Sequence, residues 1–267
     1  MNRCSVERRY RTIHGGTVEG GRHLGSVGTM RVLLIPGFWL NAQSWDPVAQ
    51  ALADCGHEVE ALNLPGMSSK DESRRDIGLR DHVAAVVAAV DRRDGHVVLV
   101  GHSAGGAIAH AVADARPERV ARVVYVDSVP LGNGDCVNAE LPVADGEIPL
   151  PDWSVFGPED MTDLSDELRA HFRDGAIPVP AAVATDLQEL HDPRRYEVPS
   201  TIIACGFSSS QLRQWIDDGQ PWTLELAAMK DVDYVDLPTG HWPQFTRPDD
   251  LADAVVSAVG DFEGPRD

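Results

Sequence analysis

Val97-Val98-Leu99-Val100-Gly101-His102-Ser103-Ala104-Gly105 is the stretch on which the reading of this chain turns. Four apolar residues in a row, three of them β-branched, predict a short strand buried on both faces. Glycines on either side of Ser103 permit a sharp turn, and the alanine-rich stretch 106–115 continues as a helix ended before Pro117. A serine on a strand-turn-helix junction sits on a strained backbone with little around it, which exposes its hydroxyl as a nucleophile requires.

Outward from that turn, short apolar runs alternate with longer amphipathic ones. Strands are expected at 31–35, 58–62, 97–100 and 120–126, the first two stopped by Pro36-Gly37 and Pro65-Gly66. Helices are expected at 45–55, 79–90 and 106–115. This rhythm predicts an α/β fold with a doubly wound, mostly parallel sheet. It breaks between Leu131 and Arg195, where Pro142, Pro149, Pro151, Pro158, Pro178 and Pro180 accompany one clear amphipathic helix near 164–172. A structureless loop of that length is out of place in a compact domain, so an inserted helical lid is expected. The rhythm resumes with a strand at 201–204, a helix at 211–216, a strand at 233–237 and a closing helix at 248–259. The expected organisation is a polar extension over 1–29, with a possible edge hairpin at 10–14, a core over 30–131 and 196–262, a lid over 132–195 and a tail over 263–267.

Composition removes several classes of function. The chain has 267 residues, 43% of them hydrophobic, enough for one large core. A net charge of −19 argues against nucleic acid and against an anionic membrane surface as partners. No apolar run approaches the roughly 18 to 20 residues that span a bilayer. The first 29 residues lack the apolar centre of a secretory signal. Cys4, Cys55, Cys136 and Cys205 are scattered without a C-x-x-C pair, so neither a metal site nor a disulfide is expected. Reduced thiols and a cytoplasmic location follow from that reading, with no cofactor; the oligomeric state is not legible.

A serine nucleophile needs a neighbouring base held in one tautomer by an acid. His241, in Thr239-Gly240-His241-Trp242, follows the last expected strand, and loops at the carboxyl ends of parallel strands gather around one crevice. The segment after the preceding strand, Cys205-Gly206-Phe207-Ser208-Ser209-Ser210, holds no carboxylate, and Asp217 lies too far down the next helix. The acid is therefore assigned one strand earlier, to Asp127 after Val123-Val124-Tyr125-Val126; a carboxylate there can also serve simply to cap backbone amides. His102 is expected to pack beside the serine without acting as the base.

With these residues the chain resembles the α/β-hydrolase superfamily over nearly all of 30–259. Gly101 to Gly105 matches the serine turn, and nucleophile first with histidine last is the order of that family. Ile35-Pro36-Gly37-Phe38-Trp39 is similar to the family's strand-end His-Gly loop with Pro36 in place of histidine, and Trp45 and Asn63-Leu64-Pro65-Gly66 look like further landmarks. The spacing is most similar to small plant-type esterases, hydroxynitrile lyases and bacterial hydrolases. The resemblance implies an oxyanion hole formed by the backbone N–H groups of Phe38 and Ala104. Trp39, Trp153, Phe156 and Trp242 are candidates to line an apolar substrate pocket, with Trp215 considered beside them.

The leading expectation is a cofactor-independent serine hydrolase acting on an ester or lactone of a small, fairly apolar molecule. A lyase or other specialised reaction on the same triad is the alternative, and a non-catalytic ligand-binding module a third reading. Against cyanohydrin cleavage stands the position of the only lysines, Lys70 and Lys230, away from the expected site loops.

Overall fold

Buried on both faces, the apolar run at 97–100 lies inside a six-stranded sheet. The computed structural model describes residues 29–260. The order of elements is β1 (Arg31–Ile35), α1 (Asp46–Asp54), β2 (Glu58–Ala61), α2 (Leu79–Asp91), β3 (Val97–His102), α3 (Ala104–Ala115) and β4 (Val120–Val126). Then come β5 (Glu147–Ile148), α4 (Asp166–Gly175), β6 (Val179–Pro180) and α5 (Ala181–Thr185). The chain ends through β7 (Ser200–Ala204), α6 (Ser209–Asp217), α7 (Leu224–Ala228), β8 (Val232–Asp236), α8 (Pro243–Thr246) and α9 (Pro248–Gly260). The expected extension up to residue 28, the hairpin within it and the tail over 263–267 lie outside the described residues.

Sheet order is β2-β1-β3-β4-β7-β8, and all five pairings are parallel. Alternation along the strands sends Leu33, Ile35, Leu99, Val123, Tyr125 and Ile202 into one core, closed by residues of α2, α3 and α6. Val32, Leu34, Val98, Val100, Val124 and Ile203 enter a second core beneath α1 and α9. This is the doubly wound α/β architecture, and it accounts for the unbroken apolar runs: a strand covered on both sides has no polar face. The two edge strands differ, with Glu58 and Glu60 on β2 and Asp233 and Asp236 on β8 at half-buried or exposed positions. Charge on an edge discourages further strand pairing.

Between β4 and β7 the chain leaves the sheet for a two-stranded antiparallel ribbon of β5 and β6, the helices α4 and α5, and short 3₁₀ turns at Trp153–Val155 and Pro193–Glu197. Prolines predicted irregular structure here and the amphipathic pattern near 164–172 found α4, but neither gave a sign of β5, β6 or α5, which are too short to carry a period. α7 and α8 escaped for the same reason. One expectation about the thiols is corrected: Cys55 is disulfide-bonded, whereas Cys136 and Cys205 are free. The absence of a C-x-x-C pair does not exclude a disulfide, and cysteine usage therefore no longer argues for a reducing compartment. Among the described residues no helix is long and apolar enough to cross a membrane.

Strand order reverses between β1 and β3, because β2 extends the sheet one way from β1 and β4, β7 and β8 extend it the other way from β3. Such a switch point opens a crevice at the strands' carboxyl ends. There α3 approaches β1 so closely that a β-carbon on Gly105 would stand 2.4 Å from the Ile35 carbonyl oxygen and 2.8 Å from that of Pro36. Backbone cannot give way as a flexible side chain can. Gly105→Ala is expected to lower stability by about 2 kcal/mol or more, measured as a fall in the urea midpoint at unchanged slope; a change below about 0.5 kcal/mol would contradict this account of the close approach.

Candidate active site

Ser103 stands where the last residue of β3 meets the first turn of α3, with φ 52° and ψ −122°. That conformation costs a non-glycine residue free energy and persists only where its surroundings enforce it. Here they do: the Ser103 N–H donates to the Val126 carbonyl at 3.1 Å, and its own carbonyl accepts from Gly106 N–H and the Ser128 hydroxyl, each at 2.8 Å. A β-carbon on Gly101 would lie 2.3 Å from the Gly105 carbonyl oxygen, so glycine is required below the turn.

The structure brings Ser103, His241 and Asp127 into one hydrogen-bonded line. His241 Nδ1 lies 2.7 Å from Asp127 Oδ2, and its Nε2 lies 2.9 Å from Ser103 Oγ. An ionised carboxylate can only accept, so Nδ1 carries the proton and Nε2 is left to accept from the serine hydroxyl. Asp127 is buried and itself has φ 42°. Burial pushes its carboxyl pKa up, but the hydrogen bond and charge of His241 and the N–H groups of Cys205 and Gly206, both 2.9 Å from Oδ1, outweigh it and hold the group below its ordinary value. Burial likewise pushes His241 down, and Asp127 overrides it, with a smaller contribution from the charge of Asp160, so the imidazole lies above its ordinary value.

The peptide of His241 is held as firmly as its ring. Its N–H donates to the Asp160 carbonyl at 2.9 Å, and its carbonyl accepts from His102 Nε2 at 2.7 Å. Since that bond needs a proton on Nε2, His102 Nδ1 is bare, and it has no partner among the described residues. Burial, with help from the neighbouring His241, drives the His102 pKa down to about 3. A permanently neutral imidazole suits packing, as expected for His102. Cys205 is no rival nucleophile, because burial and the charge of Asp127 push its thiol well up.

Ile35 is paired with Gly101 on the adjacent strand, Phe38 follows Ile35 in the turn after β1, and Ala104 opens α3 after β3. Neither backbone N–H bonds to another described residue. Trp39, Trp153, Phe156 and Trp242 meet in one aromatic cluster. Ring centroids are 5.8 Å apart for Trp39 and Phe156, 5.8 Å for Trp153 and Trp242, and 5.0 Å for Phe156 and Trp242, with edge-on geometry. Trp242 in turn lies 5.2 Å from the His241 ring. Trp215 is elsewhere, against Phe207 and Trp222. Phe172, packed on Trp153 and Trp242 at 5.7 and 5.3 Å, was missed, although its place on the amphipathic face of the expected 164–172 helix marked it as buried. Asp160 was missed too, and nothing in its sequence surroundings distinguishes it from the other surface acids. Lys70 bonds the Asp174 carbonyl and Lys230 pairs with Glu197, so neither reaches the site. Among the described residues no cluster of three or more His, Cys, Asp or Glu side chains could hold a metal ion.

The sequence model of the alpha/beta hydrolase family matches residues 32–254. The chain belongs to that family. Among curated relatives of this alpha/beta hydrolase, the carbendazim hydrolyzing esterase of Nocardioides sp. strain SG-4G is 30% identical over 114 residues, 42% of this chain and 47% of that protein. Lipase LipV of Mycobacterium tuberculosis is 33% identical over 130 residues, 48% of each. The chain spans about half the length of these relatives. Among solved structures, an extracellular alpha/beta-hydrolase from a Paenibacillus species superposes with a TM-score of 0.69 at 21% identity, covering 86% of this chain and 98% of that one. A methylesterase from Arabidopsis superposes at 0.67 and 16% identity, covering 88% and 100%. At such identities the likeness speaks for the fold alone.

Replacing Asp127 with Asn removes the charge that raises His241 while preserving shape. The His241 imidazole, followed by NMR, is expected to titrate at lower pH in Asp127→Asn by about one unit or more. An unmoved midpoint would mean that the carboxylate does not govern the imidazole.

Proposed function

We propose that this alpha/beta hydrolase is a cofactor-independent serine hydrolase that cleaves the carboxylic ester or lactone bond of a small, apolar molecule through an acyl-enzyme. The line from Ser103 Oγ through His241 to Asp127, at 2.9 and 2.7 Å, carries the reading. In it Ser103 Oγ attacks the carbonyl carbon as its proton passes to His241 Nε2, and Asp127 stabilises the imidazolium. The N–H groups of Phe38 and Ala104 receive the developing oxyanion, a donor of this kind contributing about 3 to 4 kcal/mol to the barrier reduction. His241 then returns its proton to the leaving alkoxide, and a water activated by the same nitrogen releases the acid. Trp39, Trp153, Phe156 and Trp242 form the apolar wall for the substrate, and residues 132–195 act as the lid. Relatives whose names describe esterases and a lipase support ester cleavage as the reaction class.

Hydrolysis of a panel of p-nitrophenyl esters tests this reading. Ser103→Ala should lose roughly 10³-fold or more in kcat/KM and escape labelling by a fluorophosphonate, and Asp127→Asn should lose a comparable factor. Parent-like turnover by Ser103→Ala would refute the assignment. The pH dependence has a definite sign. His241 must be neutral to accept the proton and its pKa is raised, so kcat/KM should fall on the acid side with a midpoint above the ordinary imidazole value of 6.5. A midpoint at or below that value would count against His241 as the base.

A further inference from the structure

Asp160 belongs to the segment between β4 and β7, yet it touches the site twice. Its main-chain carbonyl holds the His241 N–H at 2.9 Å, and two residues on the Thr162 carbonyl holds the Gly240 N–H at 3.0 Å. Its carboxylate is anchored through Oδ2, which accepts from the Gly157 N–H at 3.1 Å. Oδ1 is turned toward the site: it stands 3.7 Å from the place a β-carbon would occupy on Gly206, and Asp127 Oδ2 stands 3.4 Å from the same place. Gly206 puts no side chain between the two carboxylates. Among the described residues no arginine or lysine pairs with Asp160. The other groups around His241 are the Asp127 carboxylate at the end of β4, the neutral His102 and the Ser103 hydroxyl at the end of β3, and the buried Cys205 thiol at the end of β7. Of the other acids beside it on the insert, Asp163 is engaged with the Thr239 hydroxyl at 3.1 Å, and the Glu159 carboxylate lies against Gly157, with Oε1 3.0 Å from the place a β-carbon would occupy there.

We propose that Asp160 is a positioning residue for His241: its carbonyl fixes the histidine's peptide, and its cation-free carboxylate places a second negative charge beside the His241–Asp127 pair. The inserted segment thereby becomes part of the proton-transfer machinery as well as a wall of the site. The proposal rests on the serine hydrolase reading above. In a site partly shielded from water a carboxylate near an imidazolium stabilises the charged form, and Asp160 acts on His241 in that direction, after burial and Asp127. Displacing this segment would leave His241 both less ordered and less basic.

Asp160→Asn keeps an oxygen for the Gly157 N–H and removes the charge. The acid limb of kcat/KM on a p-nitrophenyl ester and the NMR titration of the His241 imidazole should both move to lower pH by about half a unit or more. Asp160→Ser should do the same, and Asp160→Glu should return both midpoints toward the parent. Without any substitution, raising the salt concentration should lower the His241 midpoint of the parent, because a half-buried carboxylate is screened. Midpoints that stay in place in a folded neutral variant, equal shifts in the Asn and Glu variants, or a parent midpoint indifferent to salt would each overturn the proposal. The imidazole titration needs no substrate. A parent that hydrolyses no ester would therefore sink the hydrolase reading while the measurement on Asp160 still stands or falls by itself.

Discussion

A carboxylate 6% exposed at the end of β4 has to be hydrogen-bonded, and the way Asp127 meets that demand organises everything around Ser103. Two of its acceptor positions take the N–H groups of Cys205 and Gly206, which locks the end of β7 to the end of β4. A third takes His241 Nδ1, which fixes the imidazole's tautomer and its direction. Remove the carboxylate and the two amides lose their partner as well as the ring, so the loss would spread beyond one bond. The segment at 205–210, which carries no acid of its own, thus contributes through its backbone: it supplies the amides that hold an acid reaching across from the neighbouring strand.

The sheet explains why these groups converge at all. β3, β4, β7 and β8 are parallel, so Ser103, Asp127, Cys205 and the loop bearing His241 all emerge from one edge. Parallel register brings them close without aligning them, and alignment comes from the main chain. The Ser103 N–H is tied to Val126, the Asp127 N–H to Ile203, and the His241 peptide to Asp160 on one side and His102 on the other. Rings positioned only by their own rotamers would wander by more than proton transfer tolerates, whereas a ring whose peptide is bonded at both ends has little freedom left.

Periodicity made the sheet legible because burial on both faces leaves an unmistakable run of apolar residues, as at Val97 to Val100 and Val120 to Val126. Ser103 and His241 were legible because glycines and strand ends mark them. Asp127 was reached by a different route, elimination among strand ends, and its Oδ2 lies 2.7 Å from His241 Nδ1. The short elements β5, β6, α5, α7 and α8 escaped because they carry no period, and the buried polar pairings escaped because they join residues distant in sequence. Cys55 pairs in a disulfide that spacing could not announce. His110, Glu225, Arg195 and Asp114 form a buried polar network, with His110 Nε2 2.9 Å and Arg195 Nε 2.6 Å from Glu225 Oε1. In the sequence each of these is only one more charged residue in an acidic chain.

That network bears on how the inserted segment can behave. Asp114 on α3 accepts the N–H groups of His191 and Asp192 and an Arg195 N–H at 3.2 Å, which fastens the end of the insert to the helix that begins at Ser103. Breaking a buried pair by removing one partner leaves an uncompensated charge, so this end is not free to swing. Trp39 fastens it again, donating from Nε1 to the Ile148 carbonyl and accepting from the Ile177 N–H at 3.1 and 3.0 Å. Asp160 and Thr162 fasten it a third time, to the histidine loop. Further bonds hold the insert, among them Lys70 to the Asp174 carbonyl, Arg74 Nε to the Pro178 carbonyl at 2.7 Å and Gln188 Nε2 to the Ala107 carbonyl at 2.9 Å, so it cannot lift as one rigid flap. The aromatic side chains of Trp153 and Phe156, which pack on Trp242, lie between the fastening at Ile148 and the one at Asp160.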